Sequence, residues 1–326
     1  MKRVVNILKW TGLVLVLLVA GLAIAVQSRQ HIVFDAPYPA LKASTDSLVL
    51  QRGEYLVYGP AHCADCHAPS DQWAAVQKGE KVPLSGGRLF VLPIGNLYSP
   101  NLCSDKETGI GNYTDAQLAR ALRYGVGHDG RALFNFMPFA NASDADILAI
   151  ISYLRTMPAI KNQVKPAELN PMGKLVKAFV IQPVGPSEEI ISSITPDSSV
   201  AYGRYLANNI ANCRGCHTAR DLRTGAFIGP DFAGGMHFTD DPGLKGEFWT
   251  PNITPDAETS IMASWSEQSF IKRIRTGRVY ETSPMPWGPL LNLSDTDLKA
   301  IYRYLRTLPP VHNKIETVYQ PEKRTS

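Results

Sequence analysis

The residues in this chain best suited to chemistry are two Cys-x-x-Cys-His motifs. Two thiols three positions apart on a helical turn can form thioethers with the two vinyl groups of a haem, and the adjacent His then lies under the iron as a ligand. One copy alone could be a zinc half-site or a redox dithiol, but zinc would need further paired ligands that the sequence lacks. The motifs therefore predict two covalent haem c groups, held by Cys63, Cys66 and His67 and by Cys213, Cys216 and His217.

The sixth iron ligand must come from another part of the chain. Seven Met residues are candidates. Met137-Pro138 lies 74 residues after Cys63, and Met285-Pro286 lies 72 after Cys213. This equivalence predicts Met137 and Met285 as the axial ligands, and a Met opposite His raises the reduction potential. The rival ligands are best explained as loop or surface histidines: His62, His128 and His237.

Both motifs belong to a long internal repeat. The tetrapeptide Gly-x-Tyr-Leu at 53–56 recurs at 203–206, an offset of 150. Pro100-Asn101 recurs as Pro251-Asn252, and Tyr-Leu-Arg-Thr at 153–156 recurs at 304–307, both at an offset of 151. An offset that drifts by one residue over a hundred positions indicates a duplicated unit.

Each unit is predicted to be helical. Ser143 and Ser294 are predicted N-caps, each followed by Asp three residues later and then by apolar residues at helical spacing. A middle helix is predicted to start near Thr114 in the first unit and near Ser266 in the second. No segment alternates between apolar and polar residues for long, so the sequence predicts an all-α fold.

The N-terminal region is apolar enough to enter a membrane. Residues 10–26 are 17 consecutive uncharged residues rich in Val, Leu and Ala, close to the roughly 20 that span a bilayer. Lys2 and Arg3 precede them, which favours a cytoplasmic N-terminus. A cleaved signal peptide is the alternative, since Ala23-Ile-Ala25 has the small-x-small form of a cleavage site. Both interpretations predict export of the rest.

Composition excludes several classes of protein. With 44% hydrophobic and 19% charged residues, the chain is neither disordered nor fibrous. Three basic residues flank or interrupt the apolar run, and without them 30 basic residues face 29 acidic ones. Binding of nucleic acid through a basic surface therefore has no support. Five cysteines are an odd number, which argues against a pure disulfide framework.

These patterns predict six segments along the chain. They are a transmembrane anchor or signal peptide at 1–26, a connecting segment at 27–50, a first haem domain at 51–160, a Pro-, Lys- and Ser-rich linker at 161–199, a second haem domain at 200–312 and a tail at 313–326.

Each unit resembles a class I cytochrome c domain, with Gly and an aromatic residue in the first helix, CxxCH, a late Met-Pro and Tyr-Leu in the closing helix. The stretch from Tyr98-Ser-Pro-Asn101 through Thr108-Gly-Ile-Gly111 to Met137-Pro138 is similar to the cytochrome c subunits of membrane-bound bacterial dehydrogenases for alcohols, aldehydes and gluconate. Those subunits usually carry three haems, whereas this chain has two motifs.

The resemblance implies a tandem pair of class I cytochrome c domains on the periplasmic side of the bacterial inner membrane. Electrons would arrive from a dehydrogenase subunit or respiratory complex and leave towards an oxidase or a soluble cytochrome. The resemblance also implies that the first and last helices of each unit cross at a Gly and a Tyr, Gly53 with Tyr153 and Gly203 with Tyr304. Asn101 and Asn252 either contact a haem propionate or simply form a turn.

Other functions stay open at this point. A dihaem enzyme of the peroxidase type would need one open iron with acid-base groups beside it, and the equivalent Met137 and Met285 argue against that. Cys103 lies outside both motifs and aligns with Thr254. It is either a small buried thiol or, as in thiosulfate dehydrogenases, an axial ligand. The favoured function is electron transfer with no catalytic residue.

Overall fold

The computed structural model describes residues 2–221, 226–239 and 245–321. The last five residues of the predicted tail lie outside this range. The first element is helix α1 (Lys2–Arg29), whose side chains are almost all exposed. Its length and its mean hydropathy of 2.3 are sufficient to cross a membrane. It extends three residues beyond the end of the predicted anchor.

The two repeated units share a first helix, a CxxCH helix, a middle helix and a last helix in the same order, and they differ in the short helices between these. In the first unit these are α2 (Ser47–Tyr58), α3 (Cys63–His67), α4 (Trp73–Val76), α5 (Asp115–Tyr124) and α6 (Asp144–Arg155). The second unit contains α8 (Val200–Tyr205), a π-helical turn (Leu206–Ile210), α9 (Cys213–Cys216), α10 (Glu267–Thr276), α11 (Trp287–Leu291) and α12 (Asp295–Leu305).

The predicted helix starts are confirmed. Thr114 caps α5 in a complete capping box with Gln117. The hydroxyls of Ser143, Ser266 and Ser294 each accept a hydrogen bond from the backbone N–H three residues later. These caps depend on contacts within one turn, so the sequence alone can predict them.

The helix-rich part of the fold prediction is confirmed, but an all-α fold is too strict. Each unit carries a three-stranded antiparallel sheet. The strands are two to four residues long, too short to show a period-two pattern. They are β1 (Leu89–Leu92), β2 (Gly95–Tyr98) and β3 (Glu168–Leu169) in the first sheet and β4 (His237–Phe238), β5 (Glu247–Trp249) and β6 (Tyr319–Gln320) in the second.

The first and last helices of each unit cross at a glycine, as the resemblance implied. A Cβ added at Gly53 would lie 2.0 Å from the Ala149 carbonyl oxygen and 2.7 Å from the Tyr153 Cβ. At Gly203 the matching distances are 1.9 Å to the Ala300 oxygen and 3.0 Å to the Tyr304 Cβ. Only glycine permits such a close approach of two helix backbones.

The two units pack against each other and share one hydrophobic core. A Tyr from the first helix of each unit reaches the first turn of the last helix of the other. Tyr55 donates to Asp297 (2.5 Å) and accepts from the backbone N–H of Ser294 (2.9 Å). Tyr205 donates to Asp146 (2.7 Å) and accepts from the N–H of Ser143 (3.0 Å). These reciprocal Tyr–Asp contacts relate the two units by a pseudo-two-fold axis.

The segment predicted as a linker contains regular structure. β3 pairs with β2 of the first unit, and helix α7 (Pro171–Phe179) follows it. Helix α7 contacts the end of α1. Residues 161–199 therefore follow the first unit closely before reaching the second.

Candidate haem sites

Helices α3 and α9 carry the two motifs. Each follows a residue in the left-handed region, His62 (φ 39°) or Asn212 (φ 53°). This sharp turn reverses the chain after α2 and after the π-helical turn that follows α8. The two cysteines of each motif are half-buried free thiols on one helical turn, the arrangement that attachment of a haem through two thioethers requires.

The histidine of each motif is oriented by a backbone carbonyl. His67 Nδ1 lies 2.9 Å from the Pro100 oxygen, and His217 Nδ1 lies 3.0 Å from the Pro251 oxygen. A carbonyl can only accept, so Nδ1 carries the proton and Nε2 has a free lone pair. Haem-ligating and metal-ligating histidines are commonly held in this way. The sequence did not identify these carbonyls as partners of the histidines, although the repeated Pro-Asn dipeptide marked the loop that carries each of them.

The loops that carry these prolines are held by the following asparagines. The Asn101 side chain donates to Thr108 and to the Ile160 carbonyl and accepts from the Cys103 N–H. Asn252 makes the same contacts with Thr259, Val311 and the Thr254 N–H. Both carboxamides are buried and fully engaged with protein. The turn interpretation is therefore favoured over contact with a propionate.

One glycine brings a second segment of backbone close to each motif. The N–H of Gly86 donates to the His67 carbonyl, and that of Gly234 to the His217 carbonyl. Both glycines have positive φ (73° and 76°), and an added Cβ would lie within about 2.6 Å of the Pro100 or Pro251 backbone. The glycines thus bring the backbone after each motif against the loop that orients its His.

The titration properties of the motif side chains suit haem attachment better than thiol redox chemistry. Desolvation raises the pKa of the Cys63, Cys66 and Cys213 thiols to about 12. A redox dithiol would need a lowered pKa. Desolvation also lowers the pKa of His67 and His217, which favours the neutral imidazole that binds iron.

A zinc site is not formed by these motifs. Within residues 2–221, 226–239 and 245–321, no three His, Cys, Asp or Glu side chains cluster closely enough to hold a metal ion. Two thiols that can form thioethers and one carbonyl-oriented His that can ligate iron are the groups that a c-type haem requires. The residues present therefore fit that group at both places.

The two attachment helices are neighbours across the interface between the units. Burial raises the pKa of Cys216 in the second motif, and the charge of Asp65 in the first motif adds to this shift. Burial lowers the pKa of the His62 imidazole, and the Ala211 carbonyl just before the second motif is among the groups that oppose this shift. Gly288 of α11 packs so tightly on α4 that an added Cβ would lie 1.9 Å from the Val76 carbonyl oxygen.

The predicted Met ligands lie at equivalent positions with different surroundings. Met137 and Met285 are both half-buried against the core, just before the helical turns that lead into α6 and α12. Met137 lines a small cleft with Phe134 and Val184. The loop around Met285 contacts the first unit instead, because Arg278 donates to Gln77. Ligation of iron by either Met stays a prediction.

Cys103 has a structural place. Its side chain is completely buried. Burial raises the pKa of the thiol, and the backbone N–H groups of Ile160 and Leu84 beside it oppose this shift. The equivalent Thr254 hydroxyl lies 3.4 Å from the Val311 carbonyl, the counterpart of Ile160. This equivalence indicates that Cys103 is a buried thiol that holds a loop in place, rather than a ligand of iron.

The three rival histidines have protein partners. His128 is an exposed loop residue stacked on Tyr113. His237 stacks on Trp249 and bonds Glu247. His62 is half-buried at the interface between the units rather than on the surface, because its side chain reaches the other unit.

Comparison with known proteins agrees with this geometry. Residues 200–309 match the sequence model of the cytochrome c family. This unit is a cytochrome c domain. The chain is 30% identical over 94% of its length to the fructose dehydrogenase cytochrome subunit of Gluconobacter japonicus, and 30% identical over 81% to the gluconate 2-dehydrogenase cytochrome c subunit of Pantoea cypripedii. It spans 60% of the length of each of these relatives.

A dihaem relative matches this chain over most of both lengths. The diheme cytochrome c-type protein of Cereibacter sphaeroides is 27% identical over 80% of this chain and 86% of its own length. The resemblance to cytochrome c subunits of bacterial dehydrogenases is thus confirmed, and covalently bound haem with a role in electron transport follows from the family.

Proposed function

We propose that this cytochrome is a membrane-anchored electron carrier with two haem c groups, each ligated by His and Met. The observation that carries the proposal is the duplication of one site. His67 and His217 are oriented by equivalent carbonyls, behind equivalent cysteine pairs. A haem bound there would supply one-electron chemistry, with no transformation of an organic substrate.

The chain's own residues would attach, orient and tune the haems. Cys63 and Cys66, with Cys213 and Cys216, would anchor the groups by thioethers. His67 and His217 would ligate iron through Nε2, and the Pro carbonyls at Nδ1 would increase the electron donation of each ring. Met137 and Met285 would close the sixth positions and hold the potentials high.

The adjacency of α3 and α9 supports electron transfer between the two haems within one chain. An exposed Phe136 (59%) precedes Met137, whereas the loop of Met285 lies against the first unit. The side of the first haem near Met137 is therefore the more accessible to a protein that docks from solution.

The proposed donor is the catalytic subunit of a periplasmic or membrane-bound dehydrogenase, or a respiratory complex. The support is that the relatives are named as cytochrome subunits of fructose and gluconate dehydrogenases. The proposed acceptor is an oxidase or a soluble cytochrome. Helix α1 would cross the bacterial inner membrane once, with Lys2 and Arg3 inside and the haem units in the periplasm.

Haem stoichiometry tests the cofactor part of this proposal. The variants C63A/C66A and C213A/C216A should each retain half of the covalent haem per chain, and the combined variant should retain none. Cys103→Ala is the matched control and should keep the full amount. A double variant that retains both haems would refute attachment at that motif.

Carbon monoxide tests the ligands and separates a carrier from an enzyme. The reduced protein should not change its spectrum with carbon monoxide, because both sixth positions are closed. Met137→Ala and Met285→Ala should each make one haem responsive. If one haem of the unaltered protein binds carbon monoxide, an enzyme of the peroxidase type with an open iron is the better function.

A further inference from the structure

Helix α7 is unusual because electron transfer gives it no role. It begins with an Asn170 N-cap followed by Pro171. A Cβ at Gly173 would lie 2.0 Å from the Ile94 carbonyl oxygen, so the helix is pressed onto the β1–β2 turn. Val176 and Ala178 are buried. The helix is therefore a firmly seated part of the first unit.

The outer side of α7 is apolar. Met172 and Phe179 are 57% and 45% exposed, and the following Val180 is 44% exposed. Met172, Leu175 and Phe179 are spaced i, i+3 and i+7, which places them on one face of the helix. An apolar helix face turned to the outside usually marks a contact with a protein or a membrane.

The position of α7 favours a membrane over a protein as the partner of this apolar face. Gln30 Nε2 donates to the Lys174 carbonyl (2.9 Å), and Arg29 Nε donates to the Ala178 carbonyl (2.8 Å). Both residues lie at the end of α1, where a helix that crosses a bilayer leaves the apolar layer. A helix tied to that point lies at the depth of the lipid headgroups, where Phe and Met side chains are accommodated.

The charges around α7 match anionic lipid. A small cleft between α7 and the chain that follows α1 is lined by Arg29, Arg131 and Lys177, together with Ile32 and Phe34. Asp129 is the carboxylate facing this group, and it pairs with Arg131. Burial, followed by the charge of Arg131, lowers the pKa of Lys177. The cleft thus holds two cations in excess beside an apolar surface.

We propose that α7 and this cleft form a second membrane-contact surface. Met172, Phe179 and Val180 insert among the lipid headgroups, and Arg29, Arg131 and Lys177 bind the phosphate of an anionic phospholipid. The inference rests on the proposed crossing of the membrane by α1. The contact would fix the tilt of the haem units over the bilayer and so the direction in which the haems face their partners.

Side-chain oxidation of the full-length haem protein in nanodiscs tests the contact. In discs of phosphatidylcholine with phosphatidylglycerol, hydroxyl radicals should label Met172 and Phe179 of the unaltered protein about threefold more slowly than those of the R131Q/K177Q variant. The reason is that each lost cation weakens headgroup binding by about 1 kcal/mol, roughly a fivefold change. Tyr280, 41% exposed on the second unit, is the internal reference and should not change. Lys245→Gln, which removes an exposed ion pair on the second unit, is the matched charge control.

The lipid composition and a flotation assay complete the test. In discs of phosphatidylcholine alone, the unaltered protein should label at Met172 as the R131Q/K177Q variant does. Equal labelling in both lipids and both variants, in a protein that floats with liposomes, would overturn the inference and leave α1 as the sole contact. A protein that does not float would instead overturn the proposed membrane anchor itself.

Discussion

The two repeated units share one plan but differ in the contacts that they make at their interface. In the first unit, Asp146 accepts from Tyr205 of the other unit and also from Nε and Nη2 of Arg52 (2.8 and 3.0 Å). In the second unit, Asp297 accepts from Tyr55 alone among side chains of the described residues. Arg52 also contacts Tyr202, the residue that stands in its own place in the repeat.

This difference shows how a duplicated fold becomes asymmetric. The pseudo-two-fold axis duplicates the Tyr–Asp contact, but a single cation near the axis pairs with one of the two carboxylates. The Met loops diverge in the same way, since one faces solvent and the other faces the first unit. The two equivalent CxxCH sites thereby acquire different surroundings, although both keep the same two cysteines and one histidine.

The largest expected effect distinguishes the two carboxylates. Asp146→Ala leaves Arg52 without its partner in a mostly buried place and should lower the free energy of unfolding by about 3–5 kcal/mol. Asp297→Ala leaves only a tyrosine hydroxyl unpaired and should lower it by about 1–3 kcal/mol. Urea denaturation of the holoprotein would measure both. Equal losses would show that Arg52 does not distinguish the units.

The two helix crossings should lose similar amounts of stability when their glycines are substituted. Gly53→Ala and Gly203→Ala each force a methyl group into a carbonyl oxygen of the facing helix. Each should therefore lower the free energy of unfolding by roughly 1–3 kcal/mol. Gly12→Ala, in open space on α1, is the neutral control. A large difference between the two crossings, seen in the same denaturation experiment, would contradict the equivalence of the helix frames.

The reciprocal tyrosines should give a smaller effect with the same sign. Tyr55→Phe and Tyr205→Phe each remove one hydroxyl that donates to a carboxylate and accepts from a helix N-terminus. The unfolding free energy should fall by about 1–2 kcal/mol in each case. The double variant should lose approximately the sum, because the two tyrosine hydroxyls share no hydrogen-bond partner. A much larger loss in the double variant would indicate that the contacts act as one cooperative unit.

The smallest effect concerns acid stability of the loops next to the haem sites. Hydrogen bonds from Thr108 and Thr259 lower the pKa of Asp105 and Asp256 below the ordinary 3.8. A carboxyl with a lowered folded pKa contributes stability above its unfolded pKa and loses it as pH falls through the folded value. Asp105→Asn and Asp256→Asn should therefore lower the thermal midpoint slightly at neutral pH and have no effect at about pH 2. Different changes of the thermal midpoint in the two variants would show that the two loops are not equivalent in acid stability.

The sequence by itself determined the features that depend on neighbouring residues. The CxxCH motifs, the serine and threonine caps, the repeat and the apolar α1 are all written in spacings of a few residues or in a long uniform composition. The Gly–Tyr crossings were implied by the resemblance to class I cytochrome c domains. These features account for the haem sites and for most of the helices.

Only the tertiary structure decided which distant groups meet. The Pro100 and Pro251 carbonyls at the haem histidines, the strands that the linker and tail add to each sheet, and the contact of His62 with the other unit join residues far apart in the chain. The packing of α7 beside Gln30 also joins residues far apart in the chain. Such contacts depend on how whole surfaces pack, and packing energy is spread over many residues with no short-range pattern. The asymmetry of the two units therefore appears only in the folded chain.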